Sequence, residues 1–224
     1  MTFRIETNKI VAIDSPDHLC PVGCINDNYS SPHLINEVLE YFDNKKISVL
    51  DLGCAGGQFV VDFINRGNLG VGLEGSSNAL NGAGKRNWRE HQNKNLFLCD
   101  ITEEYQLFFN ESPVKFDYIH SEEVFEHIHE SKIDIMLSQI KKHLKEGGIC
   151  SFGISLVEDT RNVNGVEYKL HQSVFPATWW KKKLEENGFK ILKSGINNEN
   201  HFGYIFNYKV RDHGHTSCYI CCSL

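Results

Sequence analysis

The chain has 224 residues, 41% of them hydrophobic and 23% charged, with a formal net charge of −6. That length suits one domain with a modest cap, and the composition is ordinarily globular. The acidic balance argues against a broad basic surface for nucleic acid, and no apolar run nears the roughly 18 residues of a membrane helix.

The first residues, Met1 to Glu6, lack the apolar core of a secretory leader, so a soluble cytosolic protein is expected. Residues 1–30 are irregular and read as a cap, with one β-like run at Lys9–Ile13. Cys20 and Cys24 lie in it at a spacing that, joined to Cys218, Cys221 and Cys222, would suit zinc only if the fold brought the clusters together. A helix then starts at Ser31-Pro32, with Leu34, Ile35, Val38, Leu39 and Phe42 on one face. Apolar strand cores follow at Ile47–Leu52, Leu69–Leu73, Leu96–Cys99, Phe116–His120 and Ile149–Ile154. Helical patterns fall between them at 57–66, 77–91, 103–109 and 131–145. Short buried strands alternating with helices imply a doubly wound α/β domain with a parallel sheet.

A polar stretch, 155–175, is too long for a plain connection and is placed over a ligand at the carboxyl edge of the sheet. A helix near Ala177–Asn187 ends at Gly188, and Phe189–Ser194 and Tyr204–Val210 read as strands that pair antiparallel. Residues 211–224 read as a frayed tail; its Cys221-Cys222-Ser223-Leu224 formally fits a prenylation box, although the middle positions are not aliphatic. The domain proper is therefore set at 31–210, and the cysteines near strands (Cys54, Cys99, Cys150, Cys218) are expected to be reduced and buried.

Chemistry concentrates where the first core strand runs into Gly53-Cys54-Ala55-Gly56-Gly57-Gln58-Phe59. Glycines let a ligand approach the backbone, and the helix that follows presents free N–H groups. Glu74 ends the second strand 21 positions after Gly53, where a carboxylate holds ribose hydroxyls, and Cys99-Asp100-Ile101 ends the third. A dinucleotide site wants G-x-G-x-x-G, and here its second glycine is Ala55 and its third Gln58. A nucleoside without phosphate does not need that turn.

The segment Asp51–Gly57 resembles the first motif of class I S-adenosylmethionine-dependent methyltransferases, with Ala55 in place of their usual central glycine. Glu74 resembles their ribose-binding acid, Cys99-Asp100-Ile101 their adenine-contacting segment, Phe116–His120 their fourth-strand motif, and Leu144–Gly148 the turn before strand five. The resemblance spans residues 30–210 and implies a seven-stranded, mostly parallel sheet whose last strand is antiparallel. It also implies S-adenosylmethionine as cofactor, held by Asp51, Gly53, Cys54, Ala55, Gly57, Gln58, Phe59, Glu74, Gly75, Ser76, Cys99, Asp100, Ile101 and Ser121.

After the fourth strand comes Ser121-Glu122-Glu123-Val124-Phe125-Glu126-His127. In a helix Glu123, Glu126 and His127 share one face, a divalent-metal half-site; otherwise the same residues hydrogen-bond structurally or face solvent. The Glu-x-x-Glu-His pattern resembles that of methyltransferases acting on catechol-like ubiquinone precursors and on the 2′-hydroxyl of small RNAs. The latter add a distant histidine, whose context His171, 44 residues after His127, resembles. Bacterial saccharide methyltransferases are similar in a His-containing segment before a tryptophan-bearing helix, here Trp179-Trp180. The expectation is an O-methyltransferase acting on a diol-bearing small molecule or saccharide. Glu123, Glu126, His127 and His171 hold Mg²⁺ or a similar ion, or His127 and His171 act on the acceptor directly. RNA 2′-O-methylation, a nicotinamide oxidoreductase and a silent cofactor-binding module stand as alternatives.

Overall fold

The computed structural model describes residues 2–192, 209–210 and 216–224. Its main sheet has the order β4-β3-β2-β7-β8-β13-β11. Five of these strands run parallel: β2 (Ser48–Leu52), β3 (Leu69–Glu74), β4 (Leu96–Leu98), β7 (Phe116–Glu122) and β8 (Leu144–Ser155). β13 (Thr216–Ser223) pairs antiparallel with β8, and β11 (Lys190–Ile191) antiparallel with β13. The expected seven-stranded, mostly parallel sheet with an antiparallel last strand is the fold observed.

Burial on both faces explains the near-continuous apolar strands. Leu50 and Leu52 point toward α6 (Glu130–His143) and α7 (Ala177–Glu186), packing with Ile133, Met136 and Trp180. Val49 points the other way, toward α3 (Pro32–Tyr41) and α4 (Gln58–Asn65), among Ile35, Phe59 and Phe63. Chain order reverses between β2 and β7, so the crevice outside their carboxyl ends is the place where ligands bind in such sheets.

Four expectations are corrected. The stretch 103–109 is not a helix but β5 (Tyr105–Phe109), which pairs with β1 (Phe3–Thr7) and with β6 (Ser112–Pro113) in a small antiparallel sheet. Tyr105 and Leu107 are buried while Gln106 is not, a period of two in a window too short to separate from a helical turn. The β-like run at Lys9–Ile13 is a connection, the strand being β1 just before it. The helix at 77–91 is broken at Gly82-Ala83-Gly84 into a 3-10 turn (Ser77–Asn81) and α5 (Lys85–His91). Gly84 lies so close to the Gly56 backbone that any Cβ there would collide with it.

The fourth correction concerns the supposed tail. Residues 216–223 form an eight-residue strand inside the sheet, with Cys222 opposite Cys150 and Cys218 opposite Ile154. All eight cysteines are buried and free, including Cys221 and Cys222, so neither a frayed end nor an accessible lipidation box exists there. Of the two strands read at 189–194 and 204–210, the described parts are β11 and β12 (Lys209–Val210), both of which pair with β13 rather than with each other. The stretches 193–208 and 211–215, with His201, lie outside the described residues.

Between β8 and α7 the expected polar loop contains a hairpin, β9 (Thr160–Val163) with β10 (Val166–Lys169). The cap holds two short helices, α1 (Pro16–Leu19) and α2 (Val22–Asn26). A buried histidine ties α6 to β5: His143 Nδ1 donates to Gln139 O at 2.9 Å and its Nε2 accepts from Leu107 N at 3.2 Å. Burial lowers its pKa to about 4, so the ring is neutral at physiological pH.

Candidate functional site

The glycine-rich turn leaves β2 through Gly53 (φ 73°), Ala55 (φ 43°) and Gly57 (φ 77°) before α4 begins. Gly53 is obligatory: a Cβ there would come within 2.3 Å of Val124. α5 fastens the turn from outside, with Trp88 Nε1 donating to Ala55 O at 2.8 Å and Asn87 Nδ2 to Gly56 O at 3.0 Å. The turn is thus held rigidly with its inner surface free.

Glu74, at the end of β3, accepts from Ala55 N at 2.9 Å and from Ser76 N at 2.7 Å. Burial raises its pKa to about 7 against the pull of those N–H groups. Asp51, beneath the turn, is pushed well up by burial and then by the carboxylates of Asp27, Glu74 and Glu122. Asp100, after β4, accepts from Thr102 N and Oγ1 at 3.0 and 2.7 Å and pairs with Lys9 at 3.1 Å.

The turn, Glu74 and Asp100 open onto a cavity of about 510 Å³, within the usual size of small-molecule sites. Of the residues expected from sequence to hold a cofactor, Gly53, Ala55, Glu74, Gly75, Ser76, Asp100 and Ile101 line it. Its other walls come from the cap (Ala12, Asp17, Asp27), from the segment after β7 (Glu123, Val124, His127) and from 159–172, including Arg161 and His171. Acids such as Asp14, Asp17, Asp27, Glu122 and Asp159 outnumber its cations, Lys9, Lys132, Arg161 and the raised-pKa His127, a surrounding that favours cationic ligands.

The other predicted cofactor residues do not line the cavity. Asp51 and Cys54 are buried below it, Cys99 and Phe59 pack in the core, and Gln58 bonds Asp62 and Asn87. Gly57 caps α4 against Leu96, and Ser121 Oγ donates to Leu52 O at 3.2 Å. They shape the turn from behind.

Beyond β7 the backbone is not α-helical. Glu123 adopts φ 53°, the left-handed region that costs a non-glycine residue about 1 kcal/mol or more, and Phe125–His127 is a 3-10 turn. The predicted i, i+3, i+4 face therefore does not exist, and Glu123 turns aside to accept from Ser217 Oγ at 3.3 Å. What the turn does bring together is Glu126, His127 and His171, each offering a ligand atom within 4.8 Å of the others. The loop after β10 docks there, Gln172 N and Ser173 N both donating to Glu126 O, at 2.6 and 2.9 Å.

Glu126 is fully buried; Oε1 accepts from Ser155 N at 3.1 Å, while Oε2 is without a partner among the described residues. Burial pushes its carboxyl well above the usual range. His171 Nδ1 donates to Val157 O at 2.5 Å, and burial lowers its pKa. His127 stands edge to face with His171, ring centres 4.8 Å apart, and its Nδ1 lies 3.1 Å from Asp17 Oδ2. Burial opposes its charge, but Asp17, Glu126 and Glu123 together hold its pKa up at about 9.

Asp17, Lys9 and Asp27 escaped the sequence reading, because nothing in the local pattern of residues 1–30 ties them to a turn 26 or more positions away. The cysteine clusters are not brought into a metal group: among the described residues Glu126, His127 and His171 form the one such set. Trp180 packs against Phe125 in the core, with Trp179 stacked on Phe175.

The family model described as a methyltransferase domain matches residues 26–194. Comparison with curated protein sequences gives no match. Among solved structures, the chain is similar to an S-adenosylmethionine-dependent methyltransferase from Clostridium acetobutylicum ATCC 824 (TM-score 0.57, 15% identity, covering 93% of this chain and 95% of that one). It is similar too to the glycopeptide N-methyltransferase MtfA complexed with sinefungin (0.54, 14%, 89% and 96%). A third is the 1,6-didemethyltoxoflavin-N1-methyltransferase of Burkholderia thailandensis with S-adenosylhomocysteine (0.55, 12%, 85% and 77%).

Proposed function

The chain belongs to the methyltransferase-domain family of class I S-adenosylmethionine-dependent enzymes, and we propose that it methylates a hydroxyl of a small diol-bearing molecule or saccharide with help from a divalent ion. S-adenosylmethionine carries a sulfonium and an ammonium, and the acid-rich cavity beside Gly53 and Glu74 suits both charges. A nucleic-acid acceptor, a polyanion, would meet the same acids unfavourably.

The observation that carries the proposal is the cluster of Glu126, His127 and His171 beside the cavity that holds the glycine-rich turn. A carboxylate with an unpaired, fully buried Oε2 and two imidazoles form a donor set that fits a divalent cation. A bound ion would lower the pKa of a coordinated hydroxyl, as it does that of water. The chain's own residues orient the rest. Transfer breaks the methyl carbon–sulfur bond and forms a carbon–oxygen bond in line, the hydroxyl giving up its proton to solvent and S-adenosylhomocysteine departing as a neutral thioether, so positioning supplies much of the rate. In this reading the turn beside Val124 would hold the donor, and His127, His171 and Arg161, which line the same cavity, would face the acceptor.

The test is label transfer from S-adenosylmethionine to a panel of sugars, glycans and catechols, with Mg²⁺ and with EDTA. O-methylation that disappears in EDTA and falls about 100-fold or more in Glu126→Ala supports the proposal. Transfer indifferent to EDTA would remove the ion, and label found on nitrogen would replace the hydroxyl with an amine.

A further inference from the structure

We propose that the acceptor carries an anionic group, a carboxylate or a phosphate, and that Arg161 is the residue that selects it. This rests on the cavity being the site of O-methylation, as proposed above, but not on an ion being bound.

The hairpin that carries Arg161 is set by its turn. Asn164 (φ 53°) and Gly165 (φ 83°) are both left-handed, as the two-residue turn that best matches strand twist requires. The register follows, with Val163 opposite Val166 and Arg161 opposite Tyr168. Because side chains alternate along a strand, these residues share one face, while Thr160, Asn162, Glu167 and Lys169 share the other. The stem is pinned beside Arg161, where Leu170 N and His171 N donate to Asp159 O at 2.9 and 3.4 Å. The loop that brings His171 to the cavity therefore brings Arg161 as well, and both line it. Beyond Arg161 the same face is apolar and open, Val163 being 37% exposed and Val166 53%. An acceptor whose anionic group meets the guanidinium thus finds apolar surface next to it.

The lysines and the arginine that line the cavity differ in how far they are committed. Lys132 Nζ donates to Glu103 at 2.7 Å, and Lys9 pairs with the buried Asp100 at 3.1 Å. Arg161 makes one side-chain hydrogen bond among the described residues, from Nη2 to Asp159 Oδ2 at 3.2 Å. A guanidinium holds five donors in a fixed fork, so that contact steadies one edge and leaves the other N–H groups to a ligand. With 52% of the Arg161 side chain and 24% of the Asp159 side chain exposed, the pair is a weak one that an incoming anion can share. Carboxylates and phosphates take two parallel N–H bonds from such a fork, which a neutral hydroxyl cannot match. The acids elsewhere on the wall repel an anion, so Arg161 also fixes where the group must lie.

The test offers matched acceptors to the parent, Arg161→Ala and Arg161→Lys: catechol against 3,4-dihydroxybenzoate, and glucose against glucuronate and glucose 6-phosphate. Calorimetry with S-adenosylhomocysteine bound reads acceptor affinity, and label transfer from S-adenosylmethionine reads kcat/KM. Affinity for S-adenosylhomocysteine itself confirms that each variant folds. The expected result in the parent is a preference of about 10-fold or more for an anionic member over its neutral partner. Arg161→Ala should bring that ratio near one, and Arg161→Lys, which keeps the charge without the fork, should give an intermediate value. Glucuronate favoured over the sugar phosphate, or the reverse, supports the proposal and names the source of the charge. Equal use of neutral and anionic members by the parent, or a preference that survives in Arg161→Ala, would overturn it. Anion binding that depends on Arg161 without transfer to any hydroxyl would count against the function proposed above and leave the subsite supported.

Discussion

Ala55 shows how one side chain modifies a familiar turn. The motif it belongs to ordinarily has glycine there, and the structure holds Ala55 at φ 43°, where a Cβ is opposed by about 1–2 kcal/mol. Ala55→Gly should therefore raise stability by about 1 kcal/mol, the relief of strain exceeding the extra freedom of glycine in the unfolded chain, as equilibrium denaturation would show. A lower midpoint would mean that the methyl group packs more productively than its backbone angle suggests. Glu74 carries a pH dependence of definite sign. Its pKa rises on folding from 4.5 to about 7 because it is buried. Its contribution to stability is thus fully present below 4.5 and lost as pH rises through 7. On the proposed reading, in which the charged form of Glu74 accepts from the cofactor's ribose hydroxyls, cofactor affinity should climb over the same interval. Calorimetric titrations between pH 5.5 and 8.5 would show that climb in the parent and a flat profile in Glu74→Gln.

The parallel strands were legible because each is a short apolar run between glycines or polar turns. β5 was not, since Tyr105-Gln106-Leu107-Phe108-Phe109 satisfies a helical and a strand pattern about equally well over five residues. β13 escaped for a different reason: the cysteine-rich end read as a frayed tail, whereas in the sheet Cys218, Cys221 and Cys222 serve as small apolar side chains, Cys218 and Cys222 opposite Ile154 and Cys150. The strand pairs with β8 along seven positions, from Ser217 to Ser223. A chain stopped after residue 210 should consequently fail to give a cooperative unfolding transition or bind cofactor. Cooperative melting of that truncated chain would show β13 to be an ornament on an already stable sheet.

Across the molecule, the wall of the cavity at the strand ends could be read from sequence and the wall formed by the cap, the segment after β7 and 159–172 only in part. Gly53, Glu74 and Asp100 stand at or just beyond the ends of successive strands, so the local pattern locates them. Glu126, His127 and His171 were named from a motif, yet the geometry that joins them is a 3-10 turn and a docked loop, not the helix which that spacing suggests. Asp17 could not be found at all, because the contact exists only once the cap is folded against β3 and β7.

The place of β13 also bears on biosynthesis. At about 5–20 residues per second, roughly 3 to 14 seconds separate the synthesis of β8 from that of residue 223. Throughout that interval the flank of β8, apolar through Cys150, Phe152 and Ile154, lacks its main hydrogen-bonding neighbour. An open, apolar strand on a nascent chain is a template for pairing with other chains. The yield of this protein in a cell should therefore depend on translation speed and on chaperones that shield that flank until β13 arrives.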